Sequence, residues 1–253
     1  MRKTISYLSA TLLCLSGCIA SQTAPPHHKP KNQIIKKEPK SHTYLDDFFF
    51  DPYPFVGSIN YAEDGRLIGS AVLIASNMVL TAAHVSEGRD NLMFVEYDGD
   101  SHCISEIIYY PSYDFNILQH DIAILVLETE SDEIPVELID PEKYHIWKGM
   151  KLTTVGYGTG RKRFSNYGVF WYYGRLMRKP EFMVMLPIEG SIWFGDSGGG
   201  VFTLDNKLIG IMSHFQTTVK GKIFENGCAS IEYYRDWIEE IKNERTLERM
   251  VRE

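Results

Sequence analysis

Gly195-Asp196-Ser197-Gly198-Gly199-Gly200 is the stretch on which the reading of this chain turns. A serine stands among small residues, and the glycines lead into an apolar, strand-like run from Val201 to Leu204. Glycine lets the backbone adopt conformations other residues avoid and lets a second backbone come close. A reactive serine whose neighbouring N–H groups must face a substrate carbonyl has those needs. A serine hydroxyl alone is a poor nucleophile, so the stretch requires a base and an orienting acid elsewhere. Two stretches offer them. Met78–Val85 (MVLTAAHV) brings His84 to the end of an apolar run, and His120–Leu127 (HDIAILVL) puts Asp121 at the head of another.

Gly195 to Gly199 also fits a Gly-x-Ser-x-Gly elbow, which needs a helix directly after the serine and a histidine well downstream of an acid. Here Val201 to Ile211 reads as strand, Asp205-Asn206 turn, strand, and the one later histidine is His214, close behind the serine. The context excludes the elbow.

The rest of the chain is punctuated in the same way. Val56–Tyr61, Ala62-Glu63-Asp64-Gly65 and Arg66–Ala75 read as strand, turn, strand, and Asn91–Tyr97, Asp98-Gly99 and Ser101–Tyr110 repeat the layout. Ala123–Leu127 is continuously apolar, as expected of a strand buried on both faces. Val136–Trp147 reads as a connector. Short strands at regular spacing suggest an all-β sandwich or barrel. Only the C-terminus is clearly helical: Tyr234, Trp237, Ile238 and Ile241 share one face, and Leu247, Met250 and Val251 prolong the pattern.

The three blocks resemble those of the trypsin/chymotrypsin-type serine peptidases, and the order His84, Asp121, Ser197 is that family's order. The wider resemblance implies an all-β fold: two six-stranded antiparallel barrels over residues 50–135 and 148–232, then a C-terminal helix over 233–250. It implies that Ser197 attacks a peptide carbonyl, that His84 takes its proton, and that Asp121 holds the His84 tautomer. Backbone N–H groups of Gly195 and Ser197 would form the oxyanion hole, and Ser213 would support Asp121. His214 and Phe215 would lie along the substrate backbone, Gly227 on the far wall of the specificity pocket, and Ser191 at its floor. A neutral Ser191 argues for uncharged residues at the cleavage site. No metal or cofactor is implied; the partner is a protein or peptide substrate, and a monomer is expected. Many members pair the aspartate before the serine with an amine freed by cleavage. No Ile-Val-Gly-Gly-type segment precedes Tyr53, so Asp196 needs another partner, a lysine or backbone donors. A latent or non-catalytic binding module of the cell envelope is therefore the rival reading, with a small-ester hydrolase third.

The N-terminus has a separate job. Met1-Arg2-Lys3, the apolar run Ile5–Leu15 and Ser16-Gly17 make residues 1–17 a signal peptide, too short to span a membrane well. Leu15-Ser16-Gly17-Cys18 resembles a bacterial lipobox, which implies lipidation of Cys18, export and an envelope anchor; plain cleavage near Ala20 or Ala24 is the alternative. Residues 18–43 read as a polar tether, in which five lysines from 29 to 40 face one glutamate. Residues 44–253, the expected peptidase domain, hold 19 Lys+Arg against 32 Asp+Glu, a net −13, which argues against nucleic acid as a partner. Only Cys103 and Cys228 fall in that domain. Sequence alone leaves their pairing open; two separate buried thiols are expected.

Overall fold

The computed structural model describes residues 43–44, 51–160, 163–174, 179–189, 192–217 and 223–252. The expected signal peptide, Cys18, residues 19–42 of the tether and Ser191 lie outside them.

Thr43–Tyr44 is a two-residue strand, β1. Six strands then build a closed barrel: β2 (Val56–Tyr61), β3 (Leu67–Ala75), β4 (Met78–Thr81), β5 (Leu92–Val95), β6 (Ser101–Tyr109) and β7 (Ala123–Leu127). Their order round the barrel is β2-β3-β4-β7-β6-β5, with β5 pairing back onto β2. Closure leaves no unpaired edge. Alternation is clear in β5, where Leu92 and Phe94 are buried while Met93 and Val95 are less so. All five residues of β7 are buried, as its unbroken apolar run requires. A one-turn helix, α1 (Ala83–Ser86), follows β4 and carries His84.

The second half has the six strands expected of it, and β1 is added to their sheet. It comprises β8 (Lys151–Gly156), β9 (Arg163–Gly174), β10 (Lys179–Glu189), β11 (Gly200–Phe202), β12 (Leu208–Thr217) and β13 (Ile223–Ser230). These join β1 in a seven-stranded antiparallel sheet, ordered β1-β9-β10-β13-β12-β11-β8, in which β8 also pairs with β9. The extra strand arises because Thr43 and Tyr44, at the junction of the expected tether and domain, pair with Phe164 and Arg163. Asp51–Phe55 forms no strand, since Pro52 and Pro54 lack N–H groups. Tyr53 and Phe55 instead set their rings against Phe202, with centroids 5.4 and 5.5 Å away.

α2 (Ile231–Arg252) closes the chain. Tyr234 and Ile238 are fully buried and Trp237 and Ile241 pack beside them, the face expected from the 3.6-residue spacing. Leu247, Met250 and Val251 extend the helix but stay exposed. Both cysteines are free. Cys228 is buried, but Cys103 is exposed, which corrects the expectation of two buried thiols. The cause is strand alternation: His102 turns inward on β6, so Cys103 must face out.

Candidate active site

Three separate segments converge where the closed barrel meets the second sheet. β4 ends at Thr81 and the chain turns into α1, whose second residue is His84. Arg89 fastens this short helix, donating through Nη1 to the carbonyls of His84 (2.7 Å) and Val85 (2.9 Å). Asp121 stands two residues before β7, after Leu118 and His120, which both hold positive φ (+49° and +53°). Such φ values are uncommon for residues with a side chain. They fall where the chain must present Asp121 inward, and Asp121 is only 4% exposed.

Asp121 gathers three donors. Its Oδ1 accepts the backbone N–H of His84 at 2.9 Å, and its Oδ2 lies 2.8 Å from His84 Nδ1. The Ser213 hydroxyl also donates to Oδ2. Burial alone pushes the Asp121 carboxyl up; the His84 charge and the hydrogen bonds from His84 and Ser213 outweigh it and hold the group below the usual carboxylate range. An ionised acceptor at Nδ1 fixes the proton there and leaves Nε2 with a lone pair. Ser213 Oγ lies 3.2 Å from His214 Nδ1, so the polar chain runs on to His214, whose ring stacks on Phe182 at 4.8 Å.

Ser197 sits between Trp193–Asp196 and β11, and a strand follows it at Gly200, as the exclusion of the elbow requires. Its hydroxyl donates to the Ser213 carbonyl at 3.2 Å. The loop around it is pinned through backbone groups. Asp196, buried, accepts the N–H of Gly158 at 2.6 Å on Oδ1 and the N–H of Trp193 at 2.8 Å on Oδ2. Backbone donors are thus among the partners that sequence left open for Asp196. The N–H groups of Asp196, Gly198 and Gly199 donate to Trp193, Met212 and Asp196 carbonyls. Among the described residues, no backbone carbonyl takes the N–H of Gly195 or of Ser197. Gly198 must be glycine: its φ is +86°, and a Cβ would lie 2.1 Å from both the Ser70 carbonyl oxygen and Thr81 Oγ1.

The residues assigned to substrate binding fall on two neighbouring strands. In β12 and β13, His214 faces Gly227 and Phe215 faces Asn226. A Cβ on Gly227 would meet Phe182 Cζ at 2.2 Å and His214 Cε1 at 2.7 Å, so the Phe182–His214 stack depends on that glycine. Sequence reasoning missed Ser70, Gly158 and Trp193. Backbone donors carry no residue-type signal, and Ser70 sits in a strand with no motif around it. Among the described residues, the one grouping able to hold a metal ion is Glu96, Asp98 and Glu133, and it shares no residue with this site.

Comparisons with known proteins define the class. The family model Trypsin matches residues 50–238, and the chain belongs to that family. A probable periplasmic serine endoprotease, DegP-like, of Halomonas elongata is 24% identical over 209 residues, covering 81% of this chain and 42% of the relative. A namesake from Hahella chejuensis is 23% identical over 207 residues, covering 81% and 41%. The inactive CLIP domain-containing serine protease A28 of Anopheles gambiae is 29% identical over 123 residues, 42% of this chain and 31% of the relative. The chain thus spans less than half the length of these relatives. Among solved structures, HL collagenase superposes with a TM-score of 0.66 at 19% identity, covering 80% of this chain and 97% of that one. Neuropsin, a serine protease of mouse brain, gives 0.63 at 22%, covering 76% and 95%. Human heparin binding protein gives 0.64 at 20%, covering 76% and 92%. Membership alone does not decide activity, since one relative is inactive by name.

Proposed function

We propose that this chain is a serine endopeptidase in which Ser197 is the nucleophile, His84 the general base and Asp121 the group that orients it. The observation that carries the reading is the pairing of two features. Asp121 holds His84 Nδ1 at 2.8 Å, which leaves Nε2 to take a proton. Among the described residues, meanwhile, no backbone carbonyl takes the N–H of Gly195 or of Ser197. In the reaction, the Ser197 hydroxyl turns from the Ser213 carbonyl to His84 as substrate docks; catalytic hydrogen bonds commonly tighten at that step. His84 takes the proton as Ser197 Oγ bonds the substrate carbonyl carbon, then returns it to the leaving amine. The N–H groups of Gly195 and Ser197 stabilise the developing oxyanion, each worth about 2.7–4 kcal/mol in comparable sites.

Ser213, His214, Phe215 and Gly227 would form the substrate strand and pocket wall, with neutral Ser191 at the pocket floor. We expect cleavage after uncharged residues; strict cleavage after Arg would contradict this. Two relatives are periplasmic by name, which supports export to the envelope, with Cys18 as the lipid attachment point. The test is digestion of an unfolded protein substrate by the purified chain and by Ser197→Ala. Cleavage by the first alone supports the reading. Equal cleavage by both would place the activity in a contaminant, and cleavage by neither would favour the binding-module reading.

A further inference from the structure

Ser70 lies in β3 of the closed barrel, and its side chain is wholly buried. Its hydroxyl donates to the Gly195 carbonyl at 2.7 Å and accepts the Tyr157 N–H at 2.9 Å. Its own N–H donates to the Ser197 carbonyl at 2.8 Å, and its carbonyl accepts Thr81 Oγ1 at 2.7 Å. A single residue of the first barrel thus grips both Ser197 and the glycine two positions before it. It also ties them to the Tyr157–Gly158 turn, whose next N–H holds Asp196 Oδ1.

Gly195 is the point where this loop can fail. Its φ is +95°, and glycine occupies positive and negative φ at similar cost, so the peptides flanking it can turn over without a steric barrier from a Cβ. The Gly195–Asp196 peptide lies between the two peptides that carry the N–H groups of Gly195 and Ser197, so turning it over would reset the backbone from which both N–H groups project. A hydrogen bond to the Gly195 carbonyl opposes that motion, because the carbonyl must leave the Ser70 hydroxyl for the peptide to rotate. We propose that Ser70 is a positioning residue for the oxyanion hole. Its hydroxyl selects the Gly195 conformer in which the N–H groups of Gly195 and Ser197 remain open, and it does so in the uncut chain. The inference rests on the reading of Ser197 as the nucleophile.

Alanine at position 70 removes one oxygen from a buried strand and leaves the rest of the packing alone. It strands the Gly195 carbonyl and the Tyr157 N–H. Deleting an oxyanion donor outright lowers kcat by about 10²–10³, and misplacing one costs less, so Ser70→Ala should lower kcat by about 10- to 100-fold. KM should stay within about twofold, since the ground-state carbonyl gains little from the hole. In parallel, amide hydrogen exchange in the full chain should quicken at Asp196, Gly198 and Gly199, whose N–H groups are bonded within the loop, while β7 is unchanged.

Wild-type kcat together with unchanged exchange at these amides would overturn the proposal. So would a loss of activity that merely follows the unfolded fraction in urea. If the wild type cleaves no peptide, the peptidase reading fails, and the exchange comparison still decides the role of Ser70. If Ser70→Ala does not fold, Ser70→Cys, a weaker donor of similar size, carries the same comparison.

Discussion

Replacing Asp121 with asparagine changes the site by one atom type and exposes the logic of its hydrogen bonds. Oδ1 accepts the backbone N–H of His84, and Oδ2 accepts His84 Nδ1 and the Ser213 hydroxyl. In Asp121→Asn one of the two positions becomes an NH2 group. The backbone N–H cannot become an acceptor, so the amide oxygen must keep the Oδ1 place. The NH2 group then faces Ser213 and His84 Nδ1. Ser213 adapts by rotating its hydroxyl. His84 adapts only by moving its proton to Nε2, where it can no longer accept the proton of Ser197. The expected loss in kcat is about 10⁴-fold, the size seen when this tautomer is lost in the same triad geometry, or about 5.4 kcal/mol of transition-state stabilisation. KM should be little changed, because Asp121 does not touch substrate. The assay is steady-state cleavage of a peptide substrate by the purified variant, with thermal melting to verify the fold. A folded Asp121→Asn protein with kcat within tenfold of wild type would refute the argument.

Two further outcomes follow from the same contacts. The folded Asp121 carboxyl is held below its ordinary range, so its contribution to stability is present above a pH of about 4 and is lost as acid protonates it in the native state. The difference in unfolding free energy between wild type and Asp121→Asn, measured in urea, should therefore change in the wild type's disfavour below about pH 4; a difference that moves the other way would contradict the assignment. Gly198→Ala forces an L residue to φ +86° and drives a Cβ to 2.1 Å from backbone and hydroxyl oxygens. Strain of about 1–2 kcal/mol and overpacking of about 1–3 kcal/mol should add, giving a loss of about 2–5 kcal/mol in urea unfolding. A loss under about 1 kcal/mol would mean that the loop relaxes freely.

Sequence carried far in some elements and not in others, for physical reasons. The blocks around His84, Asp121 and Ser197 were legible because each couples a reactive residue to an apolar run, and β4, β7 and β11–β12 form where those runs lie. The face of α2 was legible because its spacing repeats at Tyr234, Trp237, Ile238 and Ile241. The pairing of β1 with β9 was not, since two residues carry no periodicity and their partner is about 120 positions away. Asp51–Phe55, though aromatic, forms no strand because Pro52 and Pro54 each withhold a backbone N–H. The partners of Asp196 stayed hidden because Gly158 and Trp193 act through their backbone N–H groups, which every residue but proline possesses. Ser70 escaped for a similar reason: its neighbours in sequence are strand residues, and its partners lie 87 and 125 positions away. Cys103 was misplaced because a lone cysteine says nothing about which face of a strand it takes.

The central claim is that Ser197 is an activated nucleophile facing an open oxyanion hole. Reaction of the intact chain with a fluorophosphonate, followed by peptide mass spectrometry, tests it most directly, because the phosphonyl oxygen needs the same N–H donors as a peptide carbonyl. Stoichiometric modification of Ser197, absent in His84→Ala, is the predicted result. A folded chain that takes no label at Ser197, or one that labels equally without His84, would contradict the account.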